Sequence, residues 1–235
     1  MKKSHIATLI VFLALIPLTL ILGSRLSGRA FYVTSTLVIV ELLIPFFLAF
    51  EGRRPQAREL VVLAVMCALA VAGRVAIPIP NFKAIFGIIM VAGIAFGPES
   101  GFLVGAISAL ASNFFYSQGP YTPWQMMAYG AGGMLAGFVF AQGRLPRKPV
   151  TMGIFGFLAV TFFVGPLLDT CSVFLVMSRI TLKGAMAFYI SGFPVNLRQA
   201  VATAIVLLVL GKPLLEKLDR IKTKYGILDD GGKEA

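Results

Sequence analysis

Eight long apolar segments, separated by short loops, constrain this chain more than any other feature of its sequence. They cover residues 6–22, 31–50, 60–77, 85–96, 101–115, 124–141, 150–177 and 195–210. A helix needs about 20 apolar residues to cross the hydrocarbon core of a bilayer. Only 13% of the residues are charged, against about 25% in soluble domains. Because the runs are continuous and do not alternate as barrel strands do, we predict an all-α integral membrane protein.

Positive charge sets the predicted orientation. Most of the 21 Lys and Arg residues fall on one side when the segments alternate and both termini share that side. Cytoplasmic loops carry the excess of Lys and Arg, so both termini are predicted to be cytoplasmic. The bases form no stripe interleaved with aromatic residues, so the net charge of +11 does not indicate nucleic-acid binding. No Ala-x-Ala cleavage site follows the first segment, and we expect that segment to be retained.

Several function classes lack the residues that they need. The one histidine, His5, lies beside the N-terminus, so no histidine is available for a metal site or a catalytic dyad inside the membrane. No paired carboxylates occur at helical spacing, which argues against an intramembrane enzyme. No phosphate-binding loop motif is present, so an ATP-driven process needs an ATPase on another chain. Cys67 and Cys171 fall within apolar runs and are predicted to be buried packing residues.

Polar residues gather at the predicted outer ends of five segments. The loop 113–125 combines hydrogen-bonding side chains with flat aromatic rings. Singly, an arginine can extend to the lipid headgroups and an aromatic residue can belong to the interfacial belt. Together they predict a substrate pocket that is open to the outside. The predicted substrate-binding residues are Arg74, Asn81, Asn113, Gln118, Tyr121, Trp124, Gln125, Asp169, Asn196, Arg198 and Gln199.

Two acidic residues fall inside apolar segments. Asp169 follows Pro166, which is expected to kink its helix, and it needs a partner such as Arg198 or Arg74. Glu41 lies midway along the second segment. Two roles are compatible with this position, which are a proton relay and a hydrogen bond to a neighbouring N-terminal helix. A proton-coupled secondary transporter that uses Glu41 or Asp169 is therefore an alternative function, although no repeat with paired broken helices is evident.

Small residues recur at helical spacing on three segments. Lipid provides little hydrophobic driving force for helix association. Transmembrane helices therefore associate through faces of small residues, which allow close packing. Packing within the chain accounts for most of these faces. The stripe on the third segment is the one predicted to contact a partner membrane subunit, and it consists of Ala64, Ala68 and Ala72.

From about residue 56 to residue 210, the sequence resembles the substrate-binding S components of energy-coupling factor (ECF) transporters. The likeness rests on three patterns, which are Ala64-x-x-x-Ala68, the Gln118-Gly-Pro-Tyr-Thr-Pro-Trp-Gln125 loop before a Gly-rich segment, and Asn196-x-Arg198-Gln199. Within the family, the chain looks closest to members associated with cobalamin uptake. The resemblance implies a subunit of the bacterial plasma membrane that binds a vitamin outside, without a cofactor, and topples in the membrane to release it inside.

The resemblance also implies partners. A transmembrane coupling subunit, contacted through the alanine stripe, would carry two ATPase subunits, and the chain itself would not be an enzyme. Outer loops near Asn81, at 118–124 and at 177–196 would line the pocket. The basic, aromatic outer rim is compatible with cobalamin, which is the first expectation, and also with a flavin or a pterin.

The predicted organisation has three parts. Residues 1–55 form two extra transmembrane helices, residues 56–212 form a six-helix substrate-binding core, and residues 213–235 form a cytoplasmic tail. The tail is compatible with a helix to about Tyr225 and is expected to be disordered from 229 to 235. If the extra helices packed tightly against the core, they could hinder the toppling motion.

Overall fold

The computed structural model describes residues 30–52, 56–141, 143–177 and 179–226, together with positions 11, 15, 18, 19 and 22. Apart from those single positions, the predicted first segment at 6–22 lies outside the described residues. The predicted disordered end at 229–235 also lies outside them. Every regular element in the described ranges is a helix, as the all-α prediction requires.

Seven helices follow one another through these ranges. Their bounds are α1 Ala30–Gly52, α2 Ala57–Val75, α3 Ile85–Phe96, α4 Pro98–Tyr116, α5 Thr122–Ala136, α6 Pro149–Val176 and α7 Leu182–Tyr225. A π-helical turn, Gly137–Ala141, continues α5. Two further π-helical turns interrupt α6 at Val160–Val164 and α7 at Leu207–Gly211. Of the described helices, α6 and α7 are long and apolar enough to cross a bilayer.

Helix α7 differs from its prediction at its start. The loop predicted at 177–196 is wrong from Leu182 onward, because α7 begins there, with Thr181 as its N-cap accepting a hydrogen bond from the Gly184 amide. Gly192 and Pro194 indicate a helix break when read from sequence alone. Both lie inside the helix, and Gly192 leaves room for the Asp169 carboxylate, with which a Cβ would collide.

The C-terminal turns of α7 pack onto the rest of the bundle. Leu215 and Leu218 are buried in the main hydrophobic core. Lys222 donates a hydrogen bond to the Ala95 carbonyl at 2.6 Å, at the C-terminal end of α3, where the helix dipole favours a cation. The helical prediction to about Tyr225 is therefore confirmed, and α7 continues through its π-helical turn at Leu207–Gly211 across the predicted domain boundary at 212.

The short helix α3 is the centre of the bundle. All of its residues are buried, and it is packed against α2, α4, α5, α6 and α7. It needs no polar face, because protein rather than solvent surrounds it. Its shielding by neighbouring helices, which its short apolar run predicted, is confirmed.

Glycines allow α3, α4 and α5 to approach one another closely. A Cβ on Gly101 would lie 2.5 Å from the Gly133 carbonyl oxygen, and a Cβ on Gly105 would collide with the carbonyl of Tyr129. A Cβ on Gly93 would also collide with the Gly133 carbonyl. These backbones can approach only because no side chain stands between them, so the small faces of the fifth and sixth segments pack within the chain.

Helix α1 packs on α4, α5 and α6. Its Leu43 joins Phe102 and Ala106 in one buried cluster, and the rings of Phe47 and Phe102 meet edge to face at 6.4 Å. The stripe of Ala64, Ala68 and Ala72 on α2 stays exposed. The described part of the N-terminal region therefore leaves the predicted partner face uncovered.

The glycine packing gives a first testable prediction. Gly101→Ala forces a Cβ against backbone atoms of α5, and overpacking of this kind costs about 1–3 kcal/mol. We expect a loss of at least about 2 kcal/mol in the free energy of unfolding, measured by SDS titration from mild-detergent micelles. Gly211→Ala is the control, because the atom nearest to its Cβ is the flexible end of Met152 at 3.1 Å and the next nearest atoms lie at ordinary contact distance, 3.8 Å or more. Equal stability of both variants would contradict the close-packing account.

Candidate functional site

Arg74, in the last turn of α2, joins three helices at one end of the bundle. Its guanidinium donates hydrogen bonds to Ser112 Oγ and to Asn113 Oδ1, the latter at 2.9 Å. The guanidinium carbon lies 4.9 Å from the ring centre of Tyr116 and 5.6 Å from that of Tyr129. A cation in a largely apolar environment needs such partners. We call this end of the bundle, defined by Arg74, Asn113 and Gln125, the polar end.

Asn113 connects α4 to α5 at the polar end. Its side chain is completely buried. Its amide nitrogen donates to Thr122 Oγ1 at 3.1 Å and to Gln125 Oε1 at 2.8 Å, while its oxygen accepts from Arg74. One side chain therefore bonds to the end of α2 and to the start of α5. The sequence prediction that Arg74, Asn113 and Gln125 share one level agrees with this network.

The loop 117–121 is held mainly by its own side chains. Gln118 donates to the Leu110 carbonyl and accepts from Thr122 Oγ1, both at 2.9 Å. The Tyr121 hydroxyl donates to the Ser117 carbonyl at 2.7 Å. Ser117 has φ of 75°, a value that L-residues rarely adopt, so the loop is fixed in an unusual conformation.

A cleft of 480 Å³ lies beside Arg74, between the end of α2, the α2–α3 loop and α7. Its polar lining consists of Arg74, Asn81, Lys83, Tyr116, Tyr129 and Gln199. Asn81 has φ of 57°, a left-handed conformation that asparagine tolerates better than most residues. Lys83 donates to the Ile77 carbonyl across the same loop. The cleft combines two cations, two tyrosine rings and two amides.

Gln199, on α7, lines the cleft and carries a buried polar atom. Its Oε1 is buried and has no hydrogen-bond donor among the described residues. A buried acceptor without a partner costs about 1–3 kcal/mol. The side chain of the neighbouring Arg198 is exposed, donates to the Pro194 carbonyl of its own helix at 3.3 Å, and is not part of the lining.

Asp169 and Asn196 form a second polar cluster, between α6 and α7. Asn196 Nδ2 donates to Asp169 Oδ2 at 2.7 Å. The predicted partner of Asp169, Arg198 or Arg74, is therefore wrong, and its partner is a neutral amide. Gly165 and Gly192 make room for the pair, since a Cβ at either position would collide with Asn196 or Asp169 respectively. Asp169 and Asn196 are not among the residues that line the cleft.

Trp124 is not among the residues that line the cleft. Its ring stacks on Phe174 of α6 with centroids 5.6 Å apart. It forms a buried cluster with Ile39 and Cys171, and its indole nitrogen has no hydrogen-bond partner among the described residues. Both cysteines are buried free thiols, as predicted.

The alanine stripe borders a separate apolar groove of 520 Å³ between α2 and α4. Its lining includes Ala68, Ala72, Ala111 and Phe115. Phe115 is 67% exposed, so the groove opens directly onto the surface of the bundle. Ala64 lies one turn before Ala68, on the same exposed face.

Glu41 is not among the residues that line the cleft. It is buried, and Thr19 of the N-terminal segment donates a hydrogen bond to its Oε1. This contact matches the interpretation in which Glu41 bonds an N-terminal neighbour.

Sequence reasoning missed two residues that hold the polar end together. Thr122 accepts hydrogen bonds from Asn113 and from the Gly119 amide. Tyr129 is buried beside Arg74 and lines the cleft. A signal for Tyr129 was present, because it is a large polar residue inside the glycine-rich part of α5. Thr122 was hidden, because its role depends on a turn that the sequence does not specify.

The Asn113 network predicts a stability effect. Asn113→Ala removes three hydrogen bonds and leaves buried partners unsatisfied, so we expect a loss of about 3 kcal/mol in the free energy of unfolding in detergent. Phe114→Ala is the matched control, because Phe114 is adjacent and 76% exposed. If Asn113→Ala were as stable as this control, the hydrogen bonds of Asn113 would not hold α4 and α5 together.

Comparison with known proteins identifies the family. A family model described as ECF-type riboflavin transporter, S component, matches residues 55–216, which contain α2 to α6 and most of α7. No curated protein and no solved structure matches the chain. The match confirms the predicted S component and does not confirm the closer likeness to cobalamin-associated members. Such proteins are membrane-integral transport subunits of bacteria that associate with a vitamin and with coupling and ATPase modules. The chain belongs to the family of ECF-type riboflavin transporter S components.

Proposed function

We propose that this protein is the vitamin-capture subunit of an ECF importer, and that its vitamin is riboflavin, bound from the outside in the cleft beside Arg74. The family description supports the choice of riboflavin. The observation that carries the choice of site is the buried, unpaired Oε1 of Gln199 among the cationic and aromatic groups of one cleft.

The chemistry of a flavin suits these groups. Its flat fused ring carries an imide N–H, which can donate to Gln199 Oε1. The ring carbonyl oxygens and nitrogens accept hydrogen bonds, for which Asn81 and Lys83 supply donors. The Tyr116 ring lines the same cleft and is 43% exposed, so it offers flat apolar surface to the ligand. The buried Tyr129 ring packs beside Arg74 in the same lining.

Size favours a flavin over cobalamin. The cleft of 480 Å³ lies near the lower end of the range of about 300–1,000 Å³ for small-molecule sites. A single tricyclic ring with a short polyol chain fits a space of that order. A corrin macrocycle with its nucleotide tail needs a much wider opening, so cobalamin, the first expectation from sequence, becomes the alternative ligand.

The contacts of the two membrane acids give no support to the proton-coupled alternative. Glu41 is bonded by the Thr19 hydroxyl and Asp169 by the Asn196 amide. Both partners are neutral, so neither bond brings a second titratable group to the carboxylate. The importer with a separate ATPase module is therefore the function that we propose.

The apolar groove beside the alanine stripe is the proposed contact for the coupling subunit. Ala64, Ala68 and Ala72 are exposed, and small residues permit close approach of a partner helix in lipid. A bulky side chain of that helix could enter the groove between α2 and α4. Because α1 packs on α4, α5 and α6, it leaves this approach open.

A ligand titration tests the site. The purified wild-type protein is expected to bind riboflavin more tightly than cobalamin in isothermal titration. Gln199→Ala should weaken riboflavin binding by about tenfold, or 1.4 kcal/mol, because the imide N–H loses its acceptor. Arg198→Ala, one residue away on an exposed side chain, is the matched control.

Three results would count against this assignment. Failure of the wild-type protein to bind any vitamin would overturn the proposed function. Tighter binding of cobalamin than of riboflavin would identify cobalamin as the ligand. If Arg198→Ala weakened riboflavin binding as much as Gln199→Ala does, the ligand would not be bound in the cleft.

The coupling face generates a separate prediction. Ala68→Phe fills the groove, so uptake by cells that also express the coupling and ATPase subunits should fall by at least about tenfold, while riboflavin binding by the purified variant stays unchanged. Ile154→Phe on α6, at a position that is 58% exposed, controls for added bulk on the membrane face. Normal uptake by Ala68→Phe would exclude the groove as the coupling contact.

A further inference from the structure

Helix α1 lies outside the region that the family model matches, because that region begins at residue 55. It nevertheless packs on α4, α5 and α6, the helices that carry Asn113, Gln125 and Phe174. Its contacts with the start of α5 and with the loop before it connect α1 to the polar end.

The first contact is a buried cluster around Trp124. Ile39 of α1, Trp124 of α5 and Cys171 of α6 are each at most 8% exposed and form one hydrophobic cluster. Tyr121 and Phe174 pack against the same cluster. The first turn of α5 is therefore held between α1 on one side and α6 on the other.

The second contact reaches the loop 117–121 directly. Thr36 Oγ1 of α1 donates a hydrogen bond to the Pro120 carbonyl at 3.4 Å. The other hydrogen bonds of this loop come from its own residues and from the adjoining ends of α4 and α5. Thr36 thus supplies the loop with a contact from a distant part of the chain.

A short route connects these contacts with the cleft. Trp124 is followed in the sequence by Gln125, whose side chain accepts from Asn113. Asn113 accepts from Arg74, and Arg74 lines the cleft. Two hydrogen bonds therefore connect the first turn of α5 to Arg74.

We infer that α1 is an accessory positioning helix of the vitamin site. Ile39 and Thr36 fix the first turn of α5 and the loop 117–121, and through Gln125 and Asn113 they hold Arg74 in the geometry that the ligand requires. The effect on the ligand rests on the proposed function. The effect on the loop is a property of the unliganded protein.

The experiment uses the full chain and exploits its single tryptophan, Trp124. Ile39→Ala is compared with Val40→Ala, an adjacent residue that is 41% exposed. Thr36→Val removes the donor at nearly constant shape, and Thr36→Ser restores it. Ile39→Val is a smaller truncation for use if Ile39→Ala does not fold.

Each variant is measured in three ways in detergent. Tryptophan emission reports the surroundings of Trp124, hydrogen–deuterium exchange reports the loop 117–121, and isothermal titration gives the dissociation constant of riboflavin. Ile39→Ala and Thr36→Val should shift the emission or speed the exchange, and should weaken riboflavin binding by about fivefold or more. Val40→Ala and Thr36→Ser should match the wild type in all three.

Two results would overturn the inference. One is unchanged emission and loop exchange in both Ile39→Ala and Thr36→Val. The other is a loosened loop with an unchanged dissociation constant of riboflavin. If the wild-type protein bound no vitamin, the proposed function would fail and the claimed effect on affinity would fail with it. The exchange data would then decide separately whether α1 holds the loop.

Discussion

The hydrogen bonds of Arg74 are the constraint on which the polar end depends. A guanidinium at the end of an apolar helix is costly unless acceptors surround it. Ser112 and Asn113 of α4 supply those acceptors, so the end of α2 is tied to the end of α4. Asn113 also donates hydrogen bonds to Thr122 and Gln125, which connect α4 to α5. The cleft is positioned by this network, because Arg74 forms part of its lining.

Close packing makes the network possible. Asparagine, threonine and glutamine side chains are short, and they can join three helices only when the backbones are near one another. Gly101, Gly105 and Gly133 remove the side chains that would separate α4 from α5. The cost of glycine in a helix, about 1 kcal/mol relative to alanine, is offset here by backbone contact and by completed hydrogen bonds. The glycine-rich sequence of α5 and the polar residues at its start therefore serve one arrangement.

Much of this arrangement could be predicted from the sequence. Apolar runs located α2 to α6, and the shared depth of polar residues brought Arg74, Asn113 and Gln125 into one group. The start of α7 could not be predicted, since Gly192 and Pro194 indicate a break and only packing against Asp169 explains the glycine. The Asp169–Asn196 pair was missed for a related reason, because opposite charge is a stronger sequence cue than an amide on a neighbouring helix. Thr122 acts through a turn whose geometry depends on the fold.

We propose that the cleft lies on the external face and binds riboflavin, and one labelling measurement tests both properties. Pro80 lines the cleft and is exposed, so Pro80→Cys introduces a thiol at its mouth once Cys67 and Cys171 are replaced by alanine. A membrane-impermeant maleimide applied to intact cells should label this thiol, and riboflavin should slow the reaction. Labelling that occurs only from the cytoplasmic side, or that proceeds at the same rate with and without riboflavin, would contradict the account.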